Sequence, residues 1–299
     1  MTIGRVSFIG LGNMGGRMSR RVVAGGVELH GFDPNPAAVA EADVVPAASA
    51  RDAAGGADLV LLSLPDSSVV EAVVLGDDGI LNDARPGQIV VDLSTSSPES
   101  TRRIATSYRD RGAQYLDAGI SGGAAAAEKG ELTLMVGGDE DALDLSREVL
   151  DTFSAHIVHV GPSGAGHTVK LLNNFLNAVA LSATAEVMVA AKKADLDLQK
   201  VLDVLNTSSG VNFATMNRFP KIIHGDYLKG GLTNTLMLKD VALYVELLAG
   251  LGVASLNAAG PVASFGLARQ LGYADQISNT VVDAIGDVSG GVRLHDGKE

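Results

Sequence analysis

Gly10-Leu11-Gly12-Asn13-Met14-Gly15 restricts the possible folds of this chain more than any other stretch. The run Arg5-Val6-Ser7-Phe8-Ile9 leads straight into it, and a helical spacing of Met14, Met18 and Val22 leads out. Between a strand and a helix, each glycine has a task. The first permits a tight turn, the second lets backbone approach a pyrophosphate, and the third lets helix and strand pack closely. The helix start then offers unpaired N–H groups to phosphate oxygens. Gly10, Leu11, Gly12, Asn13, Met14 and Gly15 are therefore candidate cofactor-binding residues. A second strand, Glu28-Leu29-His30-Gly31-Phe32, ends at Asp33. An acid there accepts hydrogen bonds from a ribose 2′-hydroxyl and repels a 2′-phosphate. No basic residue follows before Arg51, so the pattern predicts NAD in preference to NADP. The plainer alternative is that Asp33 only starts a turn before Pro34.

The alternation continues. Apolar runs over 59–64, 89–91, 114–116, 132–136 and 156–160 predict further strands, with helical stretches such as 139–153 between them. Such alternation indicates an α/β fold with a mostly parallel sheet. Ligands bind beyond the carboxyl ends of its strands, which makes Leu64-Pro65 and Ser94-Thr95 candidate cofactor loops. Ser97 followed by Pro98 predicts a helix start. After Leu116 the chain reads Asp117-Ala118-Gly119-Ile120-Ser121-Gly122-Gly123, which predicts a loop. Adjacent glycines there leave N–H groups unshielded beside the Ser121 hydroxyl, a cluster able to hold a carboxylate. A plain glycine turn is the alternative. A short helix with a glycine stop is expected over 124–130.

The pattern changes near 161–164, which predicts a boundary between a dinucleotide domain at 1–162 and a helical domain at 163–295. Ser163 is a candidate cap for the next helix. Helices are predicted from 166 to about 194 and over 198–206, 213–221, 234–250, 258–270 and 275–285, with a loose tail from Arg293. Within the first helix, Lys170, Asn173, Asn174 and Asn177 are spaced i, i+3, i+4 and i+7, along one face. That face is too polar for core and too weakly charged for an ordinary surface, so it is a candidate active-site wall. Lys239-Asp240 interrupts another apolar helix. A solvated polar edge is the simpler reading of that pair, and a lysine reaching cofactor or substrate is the other. Six histidines show no metal-ligand spacing, and His167 alone lies near the polar face.

A formal net charge of −12 argues against nucleic acid or an anionic membrane as the main partner. No cysteine is present, which excludes disulfides and thiolate chemistry and fits a reducing, cytoplasmic setting. The apolar stretch 175–191 contains Asn177 and Glu186, which favours a buried helix over a membrane span.

The five motifs together, Gly10–Gly15, Asp92–Pro98, Ser121-Gly122-Gly123, Gly164–Asn174 and Lys239-Asp240, resemble the β-hydroxyacid dehydrogenases in order and spacing. That family includes 3-hydroxyisobutyrate dehydrogenase, tartronate semialdehyde reductase and relatives of 6-phosphogluconate dehydrogenase. The resemblance implies an N-terminal Rossmann domain with a doubly wound sheet, joined by a long helix to an all-helical domain. It implies Lys170 as catalytic lysine with Asn174 beside it. Ser121, Gly122, Gly123 and Asn174 fall at its substrate-binding positions. Lys239 lies near cofactor and substrate, and Leu64, Pro65 and Thr95 at the cofactor loops. It implies a short β-hydroxyacid or semialdehyde substrate, no metal, and a homodimer or homotetramer. Imine reductases on a similar scaffold usually lack the lysine. Gly119-Ile120 before Ser121, and Leu232 after Gly231, depart from the family pattern near the expected substrate pocket. For oxidation the lysine must act as a neutral amine, and burial against an apolar helix favours that form.

Overall fold

The computed structural model describes residues 3–295 and divides into two compact units, one ending at Lys170 and the other beginning at Leu171.

In the first unit, eight strands form one sheet: β1 (Val6–Ile9), β2 (Leu29–Phe32), β3 (Val45–Pro46), β4 (Leu59–Leu62), β5 (Ile89–Asp92), β6 (Gln114–Ser121), β7 (Leu132–Gly137) and β8 (Ser154–Gly161). Their order is β3-β2-β1-β4-β5-β6-β7-β8. Every neighbouring pair is parallel except β6 and β7. Helices α1 (Gly15–Ala24), α2 (Pro36–Glu41), α3 (Ala50–Ala54), α4 (Ser67–Leu75), α5 (Pro98–Arg109), α6 (Gly123–Lys129) and α7 (Glu140–Leu150) alternate with the strands. Both faces of the central strands are covered. Val6, Phe8, Leu59 and Leu61 join one core, whereas Ile9, Val60 and Leu62 join the other. Burial on both faces is why these strands read as unbroken apolar runs. Strand order reverses between β1 and β4, the switch point where α/β sheets bind ligands.

Three expectations need correction here. β3 was not anticipated, because its two residues are exposed and one is proline, so no apolar run marks it. Asp117–Ser121 is not a loop: these residues lengthen β6 and pair antiparallel with Thr133–Gly137. Strand pairing overrode the poor strand preference of glycine and aspartate. Ser97 places Pro98 at the first turn of α5 but makes no capping bond with its side chain. Its own N–H donates to Ser67 Oγ at 2.8 Å. The short helix with a glycine stop is present as α6, closed by Gly130 at φ 75°.

The second unit is helical. α8 (Ala165–Lys193) begins in the first unit and continues into the second. It is long and apolar enough to cross a membrane by length and composition, but 56% of that apolar window is buried inside the protein. α9 (Leu198–Asn206) matches its predicted span. The stretch 213–221 divides at Arg218 into α10 (Phe213–Asn217) and α11 (Phe219–Ile222), because Pro220 has no N–H to continue one helix. α12 (Asn234–Leu251) stops at Gly252, whose φ is 68°. α13 (Ala259–Ala268) runs into a wider turn over Arg269–Tyr273. The helix expected over 275–285 forms only as α14 (Val281–Val288), after a tight turn at Ser278–Thr280. The Ser278 N–H is drawn away to Leu232 O at 2.7 Å. Phe175, Leu181, Met188, Phe219, Met237 and Phe265 fill the core of this unit. The tail is tied down through His295: Leu294 is buried, and His295 Nε2 lies 3.1 Å from the Tyr227 hydroxyl. Residues 296–299 of the expected tail lie outside the described residues.

Candidate active site

The glycine loop is built as its residues predict. Gly10 has φ 88°, and a Cβ there would lie 2.3 Å from Ser63 O. A Cβ on Gly15 would lie 1.9 Å from Gly10 O, so turn and helix start can meet only without side chains. Gly12 differs: no atom stands within 4 Å of its Cβ position. The crowded glycines close the turn, and the open one leaves room for a phosphate. Asp33 Oδ2 accepts the Leu11 N–H at 2.8 Å and Oδ1 accepts the Asn35 N–H at 2.8 Å. Each oxygen keeps lone-pair capacity for a hydroxyl donor. Beside it a cavity of about 500 Å³ is lined by Phe32, Asp33, Pro34, Pro36, Val39, Ala40, Pro46 and Ala47. Two carboxyl-end loops complete the cluster. A Cβ on Gly10 would also meet Leu64 Cδ2 at 3.0 Å, and the Leu64 N–H donates to Ser94 Oγ at 2.9 Å. Pro65 and Thr95 follow directly. The open glycine, the Asp33 carboxylate and the apolar cavity fit an adenine dinucleotide.

The start of α8 is fixed by a residue that was not singled out from the sequence. Asp117 on β6 is fully buried. Its Oδ1 accepts the Gly164 N–H at 2.7 Å, and its Oδ2 accepts the His167 N–H at 2.8 Å. Among the described residues Ser163 makes no such cap; the acid from the neighbouring strand takes that place. A negative group at a helix start also suits the helix dipole. Glycines let the elements come this close. A Cβ on Gly166 would lie 2.3 Å from Met135 O and 2.4 Å from Asp117 O. A Cβ on Gly119 would lie 2.5 Å from Lys170 Cβ. Lys170 is 8% exposed and so packs its stem directly on β6. Gly119 and Ser121 share one face of β6, because side chains alternate along a strand. Ser121 is half-buried, and Gly122 and Gly123, at φ 124° and 69°, open α6. No atom lies within 4 Å of a Cβ built on Gly123.

His167 is buried and faces away from chemistry. Its Nδ1 lies 2.8 Å from Thr101 Oγ1. Its Nε2 makes no hydrogen bond and lies 3.9 Å from Asp92 Oδ2. Asp92 in turn accepts the Tyr115 hydroxyl at 2.9 Å, and burial holds that phenol well above its ordinary pKa. His167 therefore braces α5 against α8.

In the helical unit, Asn174 is 4% exposed, and its Nδ2 donates to Asp240 Oδ2 at 2.5 Å. Lys239 Nζ lies 3.2 Å from Asp240 Oδ1, a charge pair without hydrogen-bond geometry. Asp240 is 1% exposed, so the pair is not a solvated edge of α12. Asn173 is exposed and donates weakly to Asn174 Oδ1 at 3.4 Å. Asn177 bonds between elements, accepting from Arg218 Nη2 at 3.0 Å. Asp117 was given no role from the sequence, and Asp240 was singled out only as the partner of Lys239, with no role of its own. The adjacent charges in an apolar helix were the available signal for Asp240.

Two family models cover nearly the whole chain. Residues 5–161 match the NAD-binding domain of 6-phosphogluconate dehydrogenase, and residues 164–284 match the NAD-binding domain of NADP-dependent 3-hydroxyisobutyrate dehydrogenase. The chain belongs to the β-hydroxyacid dehydrogenase family. Members of that family bind a nicotinamide dinucleotide, and this chain is such an enzyme. It is 40% identical to an NAD-dependent L-serine dehydrogenase of Pseudomonas aeruginosa, over 81% of this chain and 84% of that protein. It is 34% identical to a 2-(hydroxymethyl)glutarate dehydrogenase of Eubacterium barkeri, over 81% of each. The structure of Mycobacterium tuberculosis 3-hydroxyisobutyrate dehydrogenase with L-serine superposes with a TM-score of 0.84 at 31% identity, covering 95% of this chain and 99% of that one.

Proposed function

We propose that the chain transfers hydride between a short β-hydroxyacid, of the 3-hydroxyisobutyrate type, and NAD, with Lys170 as the general acid–base group. The bound dinucleotide supplies the hydride acceptor. The substrate carboxylate rests on the N–H groups of Gly122 and Gly123 and the Ser121 hydroxyl. As the β-carbon loses hydride, its hydroxyl O–H gives its proton to Lys170 Nζ and a semialdehyde forms. Semialdehyde reduction is the same path reversed, with Lys170 returning the proton. Asn174, one helical turn on, orients the reacting oxygen, and Asp240 fixes that amide. Lys239 carries positive charge to the same substrate or to the cofactor.

The observation that carries the reading is Lys170, buried yet seated on β6 two residues before Ser121. NAD is the preferred cofactor on the strength of Asp33 and of a neighbouring cavity with no basic side chain in its lining. Absence of cysteine and use of a soluble dinucleotide fit the cytoplasm.

The test is a panel of 3-hydroxyisobutyrate, L-serine, glycerate and 2-(hydroxymethyl)glutarate, each with NAD and with NADP, read as reduced cofactor. Turnover with NAD should exceed that with NADP. Lys170→Ala should lower kcat on the order of 10²–10⁴-fold with NAD affinity kept. Near-wild-type turnover in that variant removes Lys170 from the mechanism, and better use of NADP overturns the role given to Asp33.

A further inference from the structure

His167 Nε2, three residues before Lys170, has no hydrogen-bond partner among the described residues, although the whole side chain is buried. A buried polar atom left in that state is destabilising and calls for a reason. The nitrogen lies 3.9 Å from Asp92 Oδ2, which is equally buried. That is about 1 Å longer than an ordinary N–H···O bond. The Thr101 hydroxyl has one proton and stands 2.8 Å from His167 Nδ1 and 3.1 Å from Ser97 O. Given to the nearer nitrogen, that proton leaves the ring's own proton on Nε2, on the side of the carboxylate.

Asp92 also holds the two candidate cofactor loops. Its Oδ1 accepts the Ser94 N–H at 3.0 Å, and Ser94 Oγ accepts the Leu64 N–H at 2.9 Å. Its Oδ2 accepts the Tyr115 hydroxyl at 2.9 Å. A carboxylate has about four lone-pair sites, so a third donor can be taken. On the other side, the His167 backbone N–H is fixed to Asp117, and Lys170 follows within one turn of α8. All of these residues belong to the first unit. A contiguous chain thus runs from Leu64 through Ser94, Asp92 and His167 to the turn that carries the lysine. One link in it is open, the 3.9 Å gap, and it has two arrangements: apart, or closed by a hydrogen bond.

We propose that His167 is a positioning residue that couples the cofactor loops to Lys170: a dinucleotide on Leu64-Pro65 and Ser94-Thr95 brings Asp92 onto the His167 Nε2–H, and the closed bond holds the first turn of α8. This rests on the dehydrogenase reading above and deepens it. His167 touches neither substrate nor cofactor; it acts through the backbone that carries Lys170. The coupling is reciprocal, so a cofactor that closes the bond is itself bound more tightly when the bond can form.

The test compares wild type with His167→Ala, His167→Gln and His167→Asn. Gln sets an amide N–H near the Nε2 position, and Asn sets one near Nδ1. Three quantities are read: amide hydrogen exchange over residues 167–170 with and without NAD, the Kd for NAD by calorimetry, and kcat with the best substrate of the panel above. In wild type NAD should slow exchange over 167–170. His167→Ala should lose that protection, raise the Kd for NAD about fivefold or more and lower kcat about tenfold or more, with KM for the substrate unchanged. Gln should restore all three and Asn should not. Where Ala lowers Tm enough to unfold the chain, the comparison of Gln with Asn decides. Exchange in wild type that does not respond to NAD overturns the proposal. So does Asn restoring function as well as Gln, since His167 then only braces α5 through Thr101. If no hydroxyacid is oxidised but NAD still protects 167–170 through His167, the dehydrogenase reading fails and the coupling stands.

Discussion

At the scale of single residues, Asp117 and Gly119 decide where Lys170 stands. The Asp117 carboxylate takes the Gly164 N–H just before α8 and the His167 N–H in its first turn, about one turn before the lysine. Asp117→Asn keeps the shape but turns one acceptor into a donor facing an N–H. The helix start must then shift, and displacement of a catalytic group by about 1 Å costs on the order of 10²-fold in rate. The expected result is a fall in kcat of about that size with an unchanged Kd for NAD, read by cofactor fluorescence. Gly119→Ala should do the same by pushing on Lys170 Cβ and on Gly166 O, 3.1 Å from the added carbon. If both variants keep wild-type kcat, the position of Lys170 does not depend on β6. Lys170 itself was legible in the sequence, because a cation among apolar residues at helical spacing breaks a visible pattern. Asp117 was not. An acid before glycines looks like any turn, and only the folded sheet brings it under a helix fifty residues later.

At the scale of elements, the repeating strands and helices were legible because the central strands are buried on both faces. β3 and the far half of β6 were not, since partners elsewhere in the chain define them. The edge where β1 begins depends on such a partner. Asp58 Oδ2 accepts the N–H groups of Gly4 and Arg5 at 2.9 and 3.0 Å, while its Oδ1 accepts from Arg85 at 2.5 Å. The Arg85 hydrogen bond, with the N–H groups of Arg5 and Gly4, holds the carboxyl below its ordinary pKa. A pKa lower in the folded chain means that the unfolded chain takes up the proton first, so stability falls as pH falls. The contribution is full above the unfolded value, about 3.9, and disappears below the folded one. Asp58→Asn should therefore cost about 1–2 kcal/mol at pH 7, with the gap to wild type closing in acid unfolding below about pH 4. An equal gap at pH 7 and pH 3 removes Asp58 from the acid response.

At the scale of the whole molecule, the helical unit leaves several large apolar side chains exposed. Leu176, Phe213, Met216, Leu256 and Val288 are 58–84% exposed. Near Val288 a further cavity of about 510 Å³ is lined mainly by Val189, Ala190, Ala263, Leu267 and Ile285. The prediction is that a second copy of the chain covers these residues, in the homodimer or homotetramer that the family resemblance implies. Charge opposes that association, because each copy carries a formal net charge of −12. Repulsion between the copies is screened over about 8 Å at physiological salt and over about 30 Å at 0.01 M, whereas apolar burial is not weakened by salt. The sign follows: light scattering should give a mass at least twice that of one chain at 0.15 M salt, and added salt should strengthen the assembly. Leu256→Glu combined with Met216→Glu should shift the mass toward one chain while far-ultraviolet circular dichroism stays the same. A single-chain mass at tens of micromolar protein in both low and high salt means that these residues meet solvent alone.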